Sequence, residues 1–204
     1  MLDNMNYIQQ YDSQDALSLA ASTPEQLSHN FGVRVTRNAS IDTVVFSAMG
    51  GSALQAEFVK TWPHLNVPFI VSKDYNLPEF VNENTLVIVA SYSGNTDETL
   101  SALSQAREKN AQIAIMAGGG TLLEQAEQYG DTFVQVPKAI QPRMAVFYAF
   151  RALIELLVAY EIVETRVIDE LEKIVPSLEA ATAQWVKEVP TSDNPAKQLA
   201  EKLV

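Results

Sequence analysis

Residues 85–98, TLVIVASYSGNTDE, decide the fold class of this chain. The first half, residues 85–90, is an uncharged apolar and β-branched run, which is typical of a strand buried on both faces of a parallel sheet. The second half is a short turn rich in hydroxyls, and a helical pattern follows it to about Asn110. A buried strand that turns directly into a helix is the repeating unit of doubly wound α/β folds.

The same unit repeats on both sides of this stretch. Further strands are predicted at 43–48, 67–72, 112–117 and 131–136, with helical segments between most of them. Right-handed crossovers then give a parallel sheet with helices on both faces. We therefore predict an α/β fold with a five-stranded parallel sheet of the flavodoxin-like, doubly wound type. After Pro137 only helices are predicted, at 142–163, at about 165–189 and from Pro195, which form a helical C-terminal extension.

The order of these elements predicts three regions. Residues 1–41 form an N-terminal helical segment, residues 42–163 the α/β domain, and residues 164–204 the extension. The last helix has Asn194 as its N-cap and Pro195 as its first residue, and the chain ends ten residues on, at Val204. We expect such a short terminal helix to lead toward a further domain.

The composition excludes several functions. Apolar residues make up 47% of the 204, which is enough for a substantial core. The net charge of −11 argues against nucleic acid or an anionic membrane as a partner. There is no cysteine, so disulfides and thiol catalysis are excluded. The first residues lack the pattern of a signal peptide, so a cytoplasmic location is expected.

Residues 144–160, MAVFYAFRALIELLVAY, are almost continuously apolar. The run is about one turn short of a membrane span, and it carries Arg151 and Glu155 four residues apart on one helical face. A helix buried on several sides is the favoured interpretation, and a membrane helix is the alternative.

The turn at 91–96 is the strongest candidate for a ligand site. It lies at the start of a helix, where the first N–H groups lack partners and the helix dipole favours an anion. Ser91, Ser93 and Thr96 add hydroxyl donors, and Gly94 permits a close approach of the backbone. The alternative is a plain capping box with Asn95 as N-cap and Glu98 three residues on. A cap does not require three hydroxyls and a glycine, so the pattern favours an anion site.

Two other turns follow predicted strands. Gly50, Gly51 and Ser52 follow the first strand and let the chain pass closely under a ligand, although a bare turn is an equal alternative. Residues 118–120, three glycines, indicate a flexible turn, with a ligand-facing backbone as the alternative. Because strand ends of a parallel sheet share one edge, we expect the junctions at 51 and 93 to converge on one pocket for a phosphate ester.

Arg143 begins the long apolar helix, where a cation is unfavourable with the helix dipole, so a partner is expected. A bound anion or reaction intermediate would serve, and so would a carboxylate in a structural ion pair. His29 and His64 stand apart from other metal-ligand residues, so no metal is predicted. No nucleotide fingerprint is present, and no cofactor is predicted.

These motifs together resemble a known family. AMGGSA at 48–53, KDYNLP at 73–78, SYSGNTDE at 91–98 and QPR at 141–143 occur in the order and spacing of the bifunctional phosphoglucose/phosphomannose isomerases, which belong to the SIS (sugar isomerase) family. The resemblance covers residues 42–204. It implies a metal-independent, homodimeric enzyme of two SIS domains that interconverts glucose 6-phosphate and mannose 6-phosphate with fructose 6-phosphate.

The resemblance also implies roles for individual residues. Gly51, Ser52, Ser91, Ser93 and Thr96 match the positions that hold the phosphate in that family. Arg143 matches an arginine that stabilises the enediolate. The family's base, its ring-opening histidine and a lysine lie in a second SIS domain, so we expect this chain alone to bind sugar phosphates weakly and turn over little, and to self-associate through its apolar helix. A non-catalytic SIS sensor and a nucleotide-binding α/β protein are the rival hypotheses.

Overall fold

The computed structural model describes residues 1–35, 40–138 and 141–203. They form two compact units, which are described separately. One comprises residues 29–168 and contains the sheet. The other combines residues 1–28 with residues 169–204 and is helical.

The larger unit is built on a five-stranded parallel sheet in the order β2-β1-β3-β4-β5. This is the predicted α/β class, with the strand order of flavodoxin-like folds. Strand β2 is added on one side of β1, and β3, β4 and β5 are added on the other side, so the strand order switches between β1 and β3. In such folds ligands bind outside the carboxyl ends of the two strands at the switch. The strands are β1 Thr43–Ala48, β2 Phe69–Ser72, β3 Thr85–Ser91, β4 Gln112–Ala117 and β5 Thr132–Gln135.

The central strand β3 is buried along its whole length, as an uncharged apolar run predicts. A cluster from β1, β3, β4 and the helices that follow β3 and β4 forms the core, including Val45, Val87, Leu103, Ile115 and Leu122. This rigid core holds the turns at the carboxyl ends of the strands in fixed positions. The flanking helices are α4 Leu54–Thr61, α5 Asp97–Glu108, α6 Thr121–Tyr129 and α7 Val146–Ala159.

The helical unit joins the two ends of the chain. Asp3 accepts hydrogen bonds from the Thr191 amide and hydroxyl, each at 2.9 Å, and from Lys197 Nζ at 3.0 Å. Asn194 is the N-cap of the last helix as predicted, since its side chain accepts from the Ala196 and Lys197 amides. The remaining helices are α1 Met5–Tyr11, α2 Ala16–Ala21, α3 Thr23–Ser28, α8 Arg166–Thr182 and α9 Pro195–Glu201; Val204 lies outside the described residues.

Helix α7 is buried on several sides, which confirms the favoured interpretation of the apolar run. Eight consecutive residues, Phe150 to Leu157, are buried, and they include Arg151 and Glu155. Arg151 Nε lies 2.8 Å from Glu155 Oε1, with exposed side-chain fractions of 3% and 6%. The Glu155 carboxylate also accepts from the Phe31 amide at 3.1 Å and 3.2 Å, so the buried charge is paired and hydrogen-bonded. None of the helices in the described residues is long and apolar enough to cross a membrane.

Tyr160, just after α7, gives a prediction about alkaline pH. Its hydroxyl donates to the Ile113 carbonyl, and burial raises its pKa above the ordinary value of 10.0, with a smaller contribution from nearby Asp131. Since the folded state prefers the neutral phenol, its contribution to stability is complete below pH about 10 and is lost as the pH rises through the raised pKa. We expect Tyr160→Phe to lose less stability than the wild type between pH 8 and about pH 11, measured by urea unfolding. Tyr75→Phe, at a half-exposed tyrosine, should behave as the wild type, and equal losses in all three proteins would contradict this prediction.

Candidate active site

The junctions after β1 and β3 meet at the carboxyl edge of the sheet. After β1 the chain forms a 3₁₀ turn, Gly50–Ala53, before α4 begins. After β3 it forms a loop that leads into α5. The Tyr92 amide donates to the Ser52 hydroxyl oxygen at 3.1 Å, so the two junctions are in direct contact. The convergence expected from the sequence is therefore present.

Three hydroxyls cluster in the second loop. Ser91 Oγ lies 2.8 Å from Thr96 Oγ1 and 3.4 Å from Ser93 Oγ. Ser91 is buried with 2% exposed, whereas Ser93 is exposed and Thr96 half-buried. The Gly94 and Asn95 amides donate to the Ser91 and Ser93 oxygens, each at 3.2 Å, which fixes the orientation of those hydroxyls. The two contacts between hydroxyls use two of the three hydroxyl hydrogens, so one hydrogen of the cluster stays available for an anion.

Unpaired backbone amides surround these hydroxyls. Within the part of the chain that the structure describes, no acceptor is recorded for the N–H groups at the start of α5 or in the first turn after β1. An anion bound here would meet the positive end of the α5 dipole as well as these donors. The unpaired amides are those of Gly50, Gly51, Ser93, Thr96, Asp97 and Glu98.

The capping-box alternative for this loop is wrong. The N-cap of α5 is Thr96, and its side chain makes no capping hydrogen bond. The Asn95 side chain instead accepts from the Thr121 amide at 2.9 Å, and so ties the loop to the start of α6. Asn95, which the sequence suggested as a cap, therefore fixes the loop, and the first amides of α5 stay unpaired.

The glycines at 118–120 support the loop from below. Gly94 has φ +73, and a Cβ added there would lie 1.7 Å from the Gly119 carbonyl oxygen. The Gly118 amide donates to the Tyr92 carbonyl at 3.1 Å, and the Leu122 amide donates to the Gly94 carbonyl at 3.0 Å. Two backbone segments can approach this closely only where side chains are absent, so the glycines allow close packing. Flexibility of the turn is not needed to explain them.

Arg143 lies in a second 3₁₀ turn, Pro142–Ala145, that precedes α7. A Cβ added to Gly51 would lie 3.6 Å from Pro142 Cβ and 4.0 Å from the Arg143 amide nitrogen, so this turn packs against the first junction. The Arg143 side chain is exposed. No carboxylate of the described residues lies within ion-pair distance of it, so the structural ion pair considered from the sequence is not formed among them.

A narrow cleft runs between these three turns. Its free space of about 20 Å³ is enough for one water-sized group and too small for a phosphate. Among the residues that the structure describes, its walls carry no histidine, lysine, arginine or carboxylate. The lining residues are Gly51, Ser52, Gln55, Ala90, Ser91, Tyr92, Met116, Ala117, Val136, Pro142, Ala145 and Ala149.

Sequence reasoning missed Gln55, which lies in this lining. It is 3% exposed, and its Nε2 donates to the Ser52 carbonyl at 2.7 Å. A signal was present, because Gln55 is a polar residue on the face of α4 that buries Ala56 and Val59. Neither histidine lines the cleft, and His29 packs edge-on against Phe31 and Tyr148, with centroid distances of 4.5 Å and 5.2 Å.

Comparisons with known proteins show what this chain is similar to. The family description "SIS domain" matches residues 39–160. The chain is 38% identical over 187 residues to the bifunctional phosphoglucose/phosphomannose isomerase of Caldicellulosiruptor bescii, covering 88% of this chain and 55% of that protein. It is 32% identical over 117 residues to the D-glucosamine-6-phosphate 4-epimerase of Sulfolobus acidocaldarius, covering 57% of this chain and 37% of that protein.

A solved structure shows the same fold. A hypothetical protein from Thermus thermophilus superposes with a TM-score of 0.69 at 18% identity, covering 96% of this chain and 50% of that one. The Caldicellulosiruptor bescii and Thermus thermophilus proteins each match most of this chain, and the chain spans about half of the length of each.

Proposed function

We propose that this chain, which belongs to the SIS domain family, is the sugar-phosphate-binding part of an aldose–ketose isomerase. The reaction is the metal-independent interconversion of glucose 6-phosphate, and mannose 6-phosphate, with fructose 6-phosphate. Support comes from the resemblance to proteins named as phosphoglucose/phosphomannose isomerases. The domain proposed to bind the phosphate is residues 42–163, and a cytoplasmic location remains a prediction.

The observation that carries the proposal is that oriented donors from two junctions lie close together at the carboxyl edge of the sheet. Ser52 and Ser91 line the cleft, and the Ser93 and Thr96 hydroxyls lie 3.4 Å and 2.8 Å from Ser91 Oγ, in the same two turns as the unpaired amides described above. A net charge of −11 repels a phosphate ester at long range, so such an anion must be held by short-range donors. This arrangement supplies them without a metal.

Titration calorimetry with glucose 6-phosphate tests the phosphate site. We expect Ser93→Ala combined with Thr96→Val to weaken binding by at least about 10-fold, because hydrogen bonds to a charged group contribute about 1.5–3 kcal/mol each. Ser104→Ala, at an exposed serine later on α5, removes a hydroxyl outside the loop and should leave affinity unchanged. Equal affinities for all three proteins would refute the phosphate site.

Arg143 is proposed to balance the negative charge of the ligand and of the enediolate. Its exposed guanidinium has no carboxylate partner among the described residues, and its turn packs on Gly51. We expect Arg143→Gln to weaken glucose 6-phosphate binding by about 10-fold, more strongly at low salt than at high salt. Arg34→Gln makes the same charge change near the amino ends of β4 and β5, and an equal effect there would mean that only net charge matters.

The proposal assigns proton transfer to groups outside this chain. Moving a proton between C1 and C2 needs a carboxylate base, and ring opening needs an acid, whereas the described walls of the cleft hold neither. We therefore expect a coupled assay of the 204-residue chain to show little or no isomerase turnover while calorimetry shows binding. Full turnover by the chain alone would contradict this assignment.

The same lack of acid and base groups favours a second candidate, a non-catalytic SIS sensor of sugar phosphates. The two differ in what restores function. An isomerase gains turnover when a second SIS domain of the kind that the resemblance implies is supplied, whereas a sensor changes its association with a partner when sugar phosphate is added. The residues proposed to hold the phosphate are the same in both.

We also propose that the chain forms a homodimer. Leu54 and Phe58 on α4 are 43% and 40% exposed, and the Phe58 ring stacks on Phe147 of α7 at 5.9 Å. The long helix itself adds little to this surface, because residues 146–149 and 158–159 of α7 are only half-buried and the residues between them are buried. Light scattering at high concentration should report a mass of about twice that of the chain, and a monomer would contradict the proposal.

A further inference from the structure

Gln55 lies next to the turn that carries Ser52 and lines the cleft. Its Nε2 donates to the Ser52 carbonyl at 2.7 Å, and the Ser52 hydroxyl in turn accepts from the Tyr92 amide. The side chain is therefore held in one orientation by the turn after β1. With 3% exposed, it points into the protein and lines the cleft.

The amide oxygen of Gln55 has no donor among the described residues, although the Nε2 on the same group is bonded. The oxygen is nonetheless in contact with solvent. Among the described residues, Arg107 Nε is the side-chain polar atom that lacks both a hydrogen-bond partner and contact with solvent, so the unpaired Gln55 oxygen is not fully buried. An unpaired acceptor in a nearly buried side chain costs free energy unless a donor reaches it.

The chemistry of that donor is restricted. An amide oxygen only accepts hydrogen bonds, so it disfavours the oxygens of a phosphate dianion and requires an O–H or N–H group. The free space of the cleft that Gln55 lines, about 20 Å³, admits a single oxygen-sized group. A hydroxyl on the carbon chain of a sugar phosphate meets both conditions when the phosphate occupies the mouth of the cleft.

We propose that Gln55 is a specificity-determining residue that accepts a hydrogen bond from a hydroxyl of the bound sugar phosphate. This inference rests on the proposed function, since it places the ligand by its phosphate. It adds a second recognition element to the site: the loop after β3 binds the phosphate, and Gln55 selects esters that carry a hydroxyl within reach of the cleft.

The test compares two phosphate monoesters, glucose 6-phosphate and ethyl phosphate, which differ in their hydroxyls. Calorimetry gives the ratio of their dissociation constants for the wild type, Gln55→Met and Gln55→Glu. Methionine keeps the length and removes the acceptor, and glutamate keeps an acceptor while adding charge. We expect the preference for glucose 6-phosphate to fall about five-fold in Gln55→Met, the range of one neutral hydrogen bond, and to persist in Gln55→Glu, whose affinities both fall.

The ratio separates this role from a structural one. If Gln55 only held the Ser52 turn, or only a water molecule, both affinities would change equally in Gln55→Met, and an unchanged ratio overturns the inference while the phosphate site stands. A wild type that binds both esters equally also overturns it alone. A wild type that binds neither ester overturns the proposed function with it.

Should Gln55→Met fail to fold, the wild type alone decides the question. Glucose 6-phosphate is then compared with analogues that each lack one hydroxyl. We expect the loss of one particular hydroxyl to weaken binding about five-fold. Equal affinities across the series overturn the inference.

Discussion

Gly94→Ala is expected to abolish phosphate binding and to destabilise the fold by about 2–5 kcal/mol. The new Cβ would lie 1.7 Å from the Gly119 carbonyl oxygen and 2.7 Å from its carbon, so two backbone segments would have to separate. The left-handed φ of +73 adds about 1–2 kcal/mol for a residue with a Cβ, and overpacking adds about 1–3 kcal/mol. Because Ser93 and Asn95 flank the glycine, the displacement would also disorder the hydroxyl cluster.

Gly130→Ala is the matched control for this prediction. Gly130 ends α6 with φ +72, nearly the same φ as that of Gly94, and a Cβ there meets nothing within 4 Å. Gly130→Ala should lower the free energy of unfolding only by the about 1–2 kcal/mol that the left-handed φ costs, and it should leave glucose 6-phosphate binding intact. Urea unfolding and calorimetry measure both effects. If the two variants lose equal stability and both still bind, the close packing of the loop on Gly119 is not what forms the site.

The second large effect is expected for the buried ion pair of α7. Arg151→Met leaves the Glu155 carboxylate buried without its 2.8 Å partner, and removing one member of a buried pair costs about 3–5 kcal/mol. The double variant Arg151→Met, Glu155→Met should recover part of that loss, because it removes the uncompensated charge. Urea unfolding of the single and double variants gives the coupling energy.

An exposed pair provides the control for the buried one. On α4, Lys60 Nζ lies 3.0 Å from Glu57 Oε2, and the two side chains are 46% and 44% exposed. Lys60→Met should change stability by less than about 1 kcal/mol, as exposed pairs contribute little. A loss in Arg151→Met no larger than that in Lys60→Met would show that the charge of Glu155 is not confined in the core.

Much of the fold follows from the sequence because the buried strands are uninterrupted. The runs at 43–48 and 112–117 coincide with β1 and β4, since short apolar runs of that length are typical of a strand covered on both faces. The start of β2 differs by two residues, because Pro68 has no N–H for the ladder and the strand begins at Phe69. The segment from Pro142 begins as a 3₁₀ turn before α7, a distinction that apolar periodicity does not resolve.

The candidate site was predictable where it depended on local chain geometry. Hydroxyls and glycine between a strand and a helix indicate unpaired amides, whatever the rest of the chain does. The contacts that fix the loop could not be inferred, because Asn95 reaches Thr121 and Gly94 packs on Gly119, both more than twenty residues away. Gln55 was missed for a similar reason: only the packing of α4 places its amide in the cleft.

The central claim is that a sugar phosphate binds the unpaired amides and hydroxyls where the turns after β1 and β3 meet. Amide chemical shifts of the isotope-labelled chain, recorded during a titration with glucose 6-phosphate, test it most directly. The account predicts saturable shifts for Gly51, Ser93, Thr96 and Asp97, with Gly130 at the end of α6 unmoved. Shifts that are absent from these four amides, or that cluster at the amino ends of the strands, would contradict it.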